Sequence, residues 1–383
     1  MKKLLAIVIS MAMIVAMMPM GVFADGEAIK IASAADLAKI GVDESYPLNG
    51  NYELTDDITL SENWTPIGTK GKPFKGTING NGHTITGLNI NKDNGEYAGL
   101  VGLLDGGSVN NIKFDNVSIT GTAADVGAAV GRIINGGSVS SIDVLSGSIA
   151  GSKRVGGVVG SIKASGSISS CSNKATVNAS AYNVGGIVGA AYYTEADKNM
   201  AISGCENSGS VTSFLGVGGI VGLSAAEISS CNNTGKITGI KNDTDEEKKS
   251  TSIGGIVGEQ KSFGSVTGNN NTGTIENKDE NGYGTGGIIG WLRYHGSGEA
   301  SSYARSEIIS VTGNRNTQIV WGGNDAGGIV GTVYNSAVIT DNTNTAAALS
   351  GKTFAAGIVG NYQTTEKPVA TEPAKNVLIF DRN

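Results

Sequence analysis

Aromatic and basic side chains crowd into one stretch of a chain that is otherwise poor in rings. Trp291, Arg293, Tyr294, His295, Tyr303 and Arg305 fall between Trp291 and Glu307, with Tyr283 shortly before and Trp321 shortly after. Exposed rings of this kind stack on sugars or anchor a protein partner, whereas the same rings turned inward fold a loop back over the surface beneath. Tyr283, Trp291, Tyr294 and Trp321 are therefore the candidate ligand-binding residues.

Catalysis has thinner support. Glycoside hydrolysis needs two carboxylates about 5 to 10 Å apart, and polysaccharide elimination needs clustered acids that hold calcium beside a basic residue. Acids gather at Asn242-Asp-Thr-Asp-Glu-Glu247 and at Asp279-Glu280. They read as solvated loops, with Asn242 a surface residue. Asp105, Asp125, Asp143 and Glu206 read as falling in different registers. The chain has only two histidines, His83 and His295, and its three cysteines follow no zinc spacing. No catalytic residue, metal or cofactor is expected.

The elements that position these residues come from an internal repeat. A hexamer reading roughly V-G-G-I-V-G ends at Gly102, Gly131, Gly160, Gly189, Gly222, Gly258, Gly290, Gly331 and Gly360, with spacings of 29, 29, 29, 33, 36, 32, 41 and 29. A fixed period with localised extra residues is the mark of a solenoid whose insertions are loops. The longest insertion is read as Trp291 to Glu307.

Between hexamers runs a second repeated segment, SVNNIKF, SVSSIDV, SISSCSN, AISGCEN, EISSCNN, SVTGNNN, SVTGNRN and VITDNTN. Its second position is always Val or Ile. Its fifth passes from Ile112 and Ile142 through Cys171, Cys205 and Cys231 to Asn269, Asn314 and Asn342. The seventh runs from Phe114 and Val144 to Asn173, Asn207, Asn233, Asn271, Asn316 and Asn344. Positions two, five and seven cannot share one face under strict alternation, so a bend must separate the second from the fifth.

Three short strands and their turns fit 29 residues. The expected fold is thus all-β, a right-handed parallel β-helix about 50 Å long, handed as parallel crossovers are. In stacked coils, identical asparagines lie about 4.8 Å apart and can bond to one another as an amide ladder. The cysteines share a column with Ile and Asn and read as buried free thiols. The fourth hexamer residue, Leu100 through Ile358, reads as core.

Residues 1–24 combine Lys2 and Lys3, an apolar run and a small-residue ending, and are expected to be a signal peptide. Residues 25–96 are expected to hold a short capping helix at Ser33-Ala-Ala-Asp36 and the first coils, 97–362 the repeats, and 363–383 a Thr/Pro/Glu-rich tail. Without residues 1–24 there are 26 basic and 34 acidic residues, formally −8. That balance argues against nucleic acid as a partner. No later apolar run is long enough to span a membrane.

The stretches Trp64-Thr-Pro-Ile-Gly68, Phe74-Lys-Gly-Thr-Ile-Asn-Gly-Asn-Gly-His-Thr-Ile85 and Tyr97-Ala-Gly-Leu-Val-Gly102, continued by the downstream hexamers, resemble the bacterial GLUG-motif proteins. Such proteins include the non-catalytic regions of some immunoglobulin A proteases. The resemblance implies a β-helical secreted or cell-surface module and supplies no catalytic residues; an H-E-x-x-H zinc motif is absent from this sequence. The expected function is non-enzymatic adhesion or recognition of an extracellular glycan or a host or cell-surface protein. A polysaccharide lyase or glycosidase is the alternative.

Overall fold

The computed structural model describes residues 27–92, 95–192, 199–242, 245, 248–261, 264–293, 309–334, 337–363 and 378–381. The chain is a parallel β-solenoid of about ten coils, each close to 29 residues, with almost no helix. Each coil that carries a hexamer contributes to three parallel sheets, whereas the strands before Thr77 belong to the first sheet alone. In the coil of the fourth hexamer, for instance, Gly166–Ser169 and Ser172–Asn173 lie in the first sheet, Thr176–Gly185 in the second and Val188–Tyr192 in the third. The expected signal peptide, and residues 364–377 and 382–383 of the tail, lie outside the described residues. Leu378–Asp381 pairs in parallel with Ala337–Thr340, adding a strand to the first sheet.

The bend anticipated between positions two and five is a single left-handed residue at position four. Asn111, Ser141, Ser170, Gly204, Ser230, Gly268, Gly313 and Asp341 all take φ between 53° and 67°. Five of these eight are Asn, Ser or Asp, short polar residues on which the left-handed conformation weighs least among those with a Cβ. One reversed residue per coil turns positions two, five and seven onto the same interior. Val109, Val139, Ile168, Ile202, Ile228, Val266, Val311 and Ile339 are all buried there.

The hexamer forms the corner between the second and third sheets. Val184-Gly185 ends one strand, Gly186-Ile187 makes the turn, and Val188-Gly189 begins the next. The fourth residue points into the core in every coil from Leu100 to Ile329, and Ile358 is half-buried in the last. The glycines are required by close approach. A Cβ on Gly157, Gly219 or Gly255 would sit 2.5 Å from the amide carbon of Asn173, Asn233 or Asn271, respectively. Side chains of the asparagine column therefore lie flat on the glycine corners. Ala128 holds the equivalent hexamer position in the coil where Val144, not Asn, occupies column seven.

Asn173, Asn207, Asn233, Asn271, Asn316 and Asn344 stand in one register. Each Nδ2 donates to the next Oδ1, at 3.0, 2.9, 2.8, 2.9 and 3.0 Å in order. The second N–H of each of the first five donates to a carbonyl two residues on, such as Gly235 O from Asn233 at 3.0 Å. Both donors of every amide from Asn173 to Asn316 are thus used inside the core.

A second ladder that the sequence reading did not recognise lies at column five. Asn269 donates to Asn314 at 2.9 Å, and Asn314 to Asn342 at 2.9 Å. Their Oδ1 atoms accept from the backbone N–H of the preceding coil, as in Cys231 N to Asn269 Oδ1 at 2.9 Å. Where cysteine fills this column instead, Cys171, Cys205 and Cys231 are buried and free, each thiol donating to a carbonyl two residues earlier at 3.3 Å. The neighbouring thiol and burial push Cys205 well above the usual thiol range, and Cys231 likewise.

The N-terminal cap is one helical turn, Ala34–Leu37, with Ser33 Oγ accepting from Asp36 N at 3.2 Å and Leu37 and Ile40 buried. It is preceded by a strand, Ile29–Ile31, that pairs with Asn51–Leu54.

Three expectations need correction. Asn242 is 7 % exposed, a buried residue and not a surface one. Asp143 and Glu206 do share a column, because Asp143 pairs with Ser172 and Ser172 with Glu206. Two coil rises place them about 9.6 Å apart, with Ser172 between them donating to Asp143 at 2.6 Å. Finally, Trp291 does not open a loop. Ile289–Arg293 is a strand of the third sheet, held between Val257–Lys261 and Val330–Tyr334.

Two outcomes follow. Asn233→Ala should lower stability by about 1 to 3 kcal/mol, since Asn207 and Asn271 lose buried partners, while Glu206→Ala on the exposed face should stay within about 0.5 kcal/mol; denaturant melts of the two variants check this. The three thiols should react with a thiol reagent only at the rate of unfolding, because buried, protonated sulfur is both shielded and a poor nucleophile. Prompt labelling of native protein would show the column to be open.

Candidate ligand-binding corner

Of the four candidate residues, Tyr294 lies outside the described residues, as do His295, Tyr303 and Arg305. The other three do not form one exposed group. Trp321 and Tyr283 lie in strands of the second sheet and are 48 % and 41 % exposed. Trp291 is half-buried on the third sheet, its indole lying on Gly284, the residue after Tyr283. Gly284 takes φ of 62°, and any Cβ there would fall inside the indole ring.

Around Trp291 the outward corner between the second and third sheets gathers residues that no sequence motif marked. Arg293 sits over the Trp291 ring at 4.3 Å and over the Tyr334 ring at 5.3 Å, and the two rings meet edge-on at 5.4 Å. Glu259, 8 % exposed, has Oε1 3.6 Å from Lys261 Nζ and 3.5 Å from Arg293 Nε. Parallel pairing stacks these residues: Glu259 is opposite Trp291, Lys261 opposite Arg293, and Arg293 opposite Tyr334. Burial raises the Tyr334 hydroxyl above its ordinary range; Arg293 opposes this, and Asp325, Tyr283 and Glu259 add to it. The signal in the sequence would have been the position after each hexamer, where Arg132, Glu259 and Trp291 break an otherwise small or apolar column. Its meaning depended on knowing that this position faces out.

Two other acids are tied to the scaffold. Asp125 is buried between Arg132 and Arg154, with the Tyr97 ring 4.9 Å from the Arg132 guanidinium. Asp279, in an acidic stretch read as solvated loop, is also buried and accepts from Ser250 N at 2.8 Å and Asn281 N at 3.0 Å. Among the described residues, no group of three or more His, Cys, Asp or Glu is arranged to hold a metal ion. A cavity of about 730 Å³ lies between the cap helix and the first coil, lined by Ala38, Val42, Leu48, Glu62, Trp64 and Pro66. No helix among the described residues is long and apolar enough to cross a membrane.

No protein-family profile matches the chain. It is 36% identical over 140 residues, 32% of its length, to a protein of Evansella cellulosilytica provisionally named a Gly-rich membrane protein. It is also 36% identical over 139 residues, 33% of its length, to halomucin of Haloquadratum walsbyi. These matches span 16% and 2% of the relatives' own lengths. A solved structure from Bacteroides ovatus, provisionally described as an immunoglobulin A1 protease, aligns over 94% of this chain and 84% of its own. At 13% identity and a TM-score of 0.36, that likeness is too loose to carry any inference. Each match covers about a third of this chain and a small part of the relative.

Proposed function

We propose that this chain is an exported, non-enzymatic solenoid module, displayed at or beyond the cell surface, that recognises an extracellular glycan or protein. One observation carries the reading: two large rings, Tyr283 and Trp321, stand exposed on the second sheet, and Tyr283 adjoins the packed Trp291–Arg293–Tyr334 stack through Gly284. Rigid aromatic area placed next to charged groups is what a recognition surface uses. Tyr294 belongs to the same proposed surface by its place in the sequence. The GLUG-like pattern, the signal-like start, and relatives named for membrane and mucin proteins support a surface location. Against a lyase or glycosidase stand the anchoring of Asp125 and Asp279 to the scaffold and, at the one acid pair that stacking spaces for hydrolysis, the Ser172 hydroxyl that lies between Asp143 and Glu206 and bonds Asp143.

The test is binding of the purified chain, from Asp25 onward, to arrayed glycans and extracellular matrix proteins. Tyr283→Ser combined with Trp321→Ser should weaken the captured interaction by about tenfold or more and leave the melting temperature unchanged. Undiminished binding by the double variant, or depolymerisation of a polysaccharide by the purified chain, would overturn the proposal.

A further inference from the structure

The two ends of the solenoid are finished differently. At the start, the cap helix sets Leu37 into the core, with Ile40 buried beside it. At the far end no helix covers the last coil among the described residues. Its strands Leu349–Ser350, Phe354–Ala356 and Val359–Gln363 are the final members of the second and third sheets, each paired along one edge only. Leu349 continues a column in which Ile237, Ile275 and Val320 are fully buried, and Tyr362 continues one in which Leu292 and Val333 are. In the last coil these positions come to the surface. Leu349, Ile358 and Val359 are only half-buried, while Phe354 and Tyr362 are 48 % and 38 % exposed. Bare core and unpaired strand edges are what solenoids cover at their ends, because an open coil is a template for association.

The start of the molecule offers the matching shape. There the first sheet is extended by Ile29–Ile31, while the second and third sheets reach back only through isolated bridges at Asn63 and Ile67. The place of the missing strands is taken by the cap helix and by the cavity of about 730 Å³ beside it. Ala35, Ala38 and Val42 on the wall of this cavity are exposed, Val42 to 85 %, so the hollow is reached from solvent. The far end shows the same division: Leu378–Asp381 extends the first sheet, and the second and third stop at bare strands. A projecting apolar surface at one end and an apolar hollow at the other thus lie over the same two sheets.

Charge favours unlike ends. From 342 to 363 the only charged residue is Lys352, which makes no ion pair with a described residue. Around the cavity Asp43, Glu44 and Glu62 stand against Lys72 once the Asp36–Lys39 and Lys70–Glu96 pairs are set aside. Two far ends brought together would oppose lysine to lysine, whereas a far end on a capped end sets lysine beside an acidic rim.

We infer that the chain associates with copies of itself head to tail, the last coil of one copy seating on the cap of the next, with Phe354 and Tyr362 against the hollow walled by Ala35, Ala38 and Val42. The contact is heterologous and leaves one free end on each side, so its product is a linear filament and not a closed dimer. It does not depend on the recognition reading above.

The experiment is sedimentation velocity over a range of concentrations on the chain from Asp25 onward. Two substitutions at exposed positions, Val42→Asp at the capped end and Phe354→Asp at the far end, are each checked for an unchanged melting temperature. Wild-type protein should form species that lengthen with concentration, and either variant alone should associate about tenfold more weakly or less. Mixed in equal amounts, the two variants should give a one-to-one dimer, because each supplies the end that the other has lost. Wild-type protein that stays monomeric at every concentration, the outcome if residues 364–377 cover the last coil instead, overturns the inference. Association that survives Val42→Asp but not Phe354→Asp overturns it in favour of a tail-to-tail dimer. Association untouched by either substitution, or a mixture no heavier than its components, overturns it as well.

Discussion

The architecture depends on one contact repeated from coil to coil, the flat asparagine amide against the bare glycine backbone of the hexamer corner. The ladder holds successive coils in register through amide bonds of 2.8 to 3.0 Å. The corner glycines let the opposing backbone come close enough to fill the space beside it. Each half requires the other. An amide in a looser core would sit beside a void, and a side chain at Gly219 or Gly255 would displace the amide and break the bonds above and below. An unmatched buried amide costs about 1 to 3 kcal/mol, so the pattern tolerates little change once the ladder has begun at Asn173.

This dependence explains what was legible in the sequence. Column seven and the hexamer were readable because both are local patterns, and the bend followed from the parity of the positions between strands. The meeting of the two patterns was not readable, because Gly157 and Asn173 are brought together only by the cross-section of the coil. Asn269, Asn314 and Asn342 were visible as a column, but the preceding cysteines suggested small core residues and hid a second ladder that supplies bonds to the backbone of the coil before. Asp143 and Glu206 were misread because Ser172 interrupts their column. Trp291 reads as a loop residue since the period lengthens after it, yet strand pairing continues through Arg293.

Function is confined to what the ladders leave alone. Interior positions are fixed by stacking, so chemical variety appears at the outward corner and on the second sheet, where side chains change from coil to coil without disturbing register. Asp125 and Glu259 show the two results this allows. One carboxylate is locked by two arginines as part of the scaffold. The other is ion-paired to Lys261 and Arg293 beside Trp291 and Tyr334, on the residues that change from coil to coil. The candidate site therefore could not be read from motif spacing: its residues belong to three successive coils and lie up to 75 positions apart between Glu259 and Tyr334.

The most direct test of the ladder as the spine of the fold is side-chain amide hydrogen exchange by NMR on the folded chain. The Nδ2 protons of Asn207, Asn233 and Asn271 should exchange only through global unfolding, slower than those of the exposed Asn81 by on the order of a thousandfold or more. Exchange of the three at the rate of Asn81 would contradict the account, because it would mean that the column is open to water and holds nothing together.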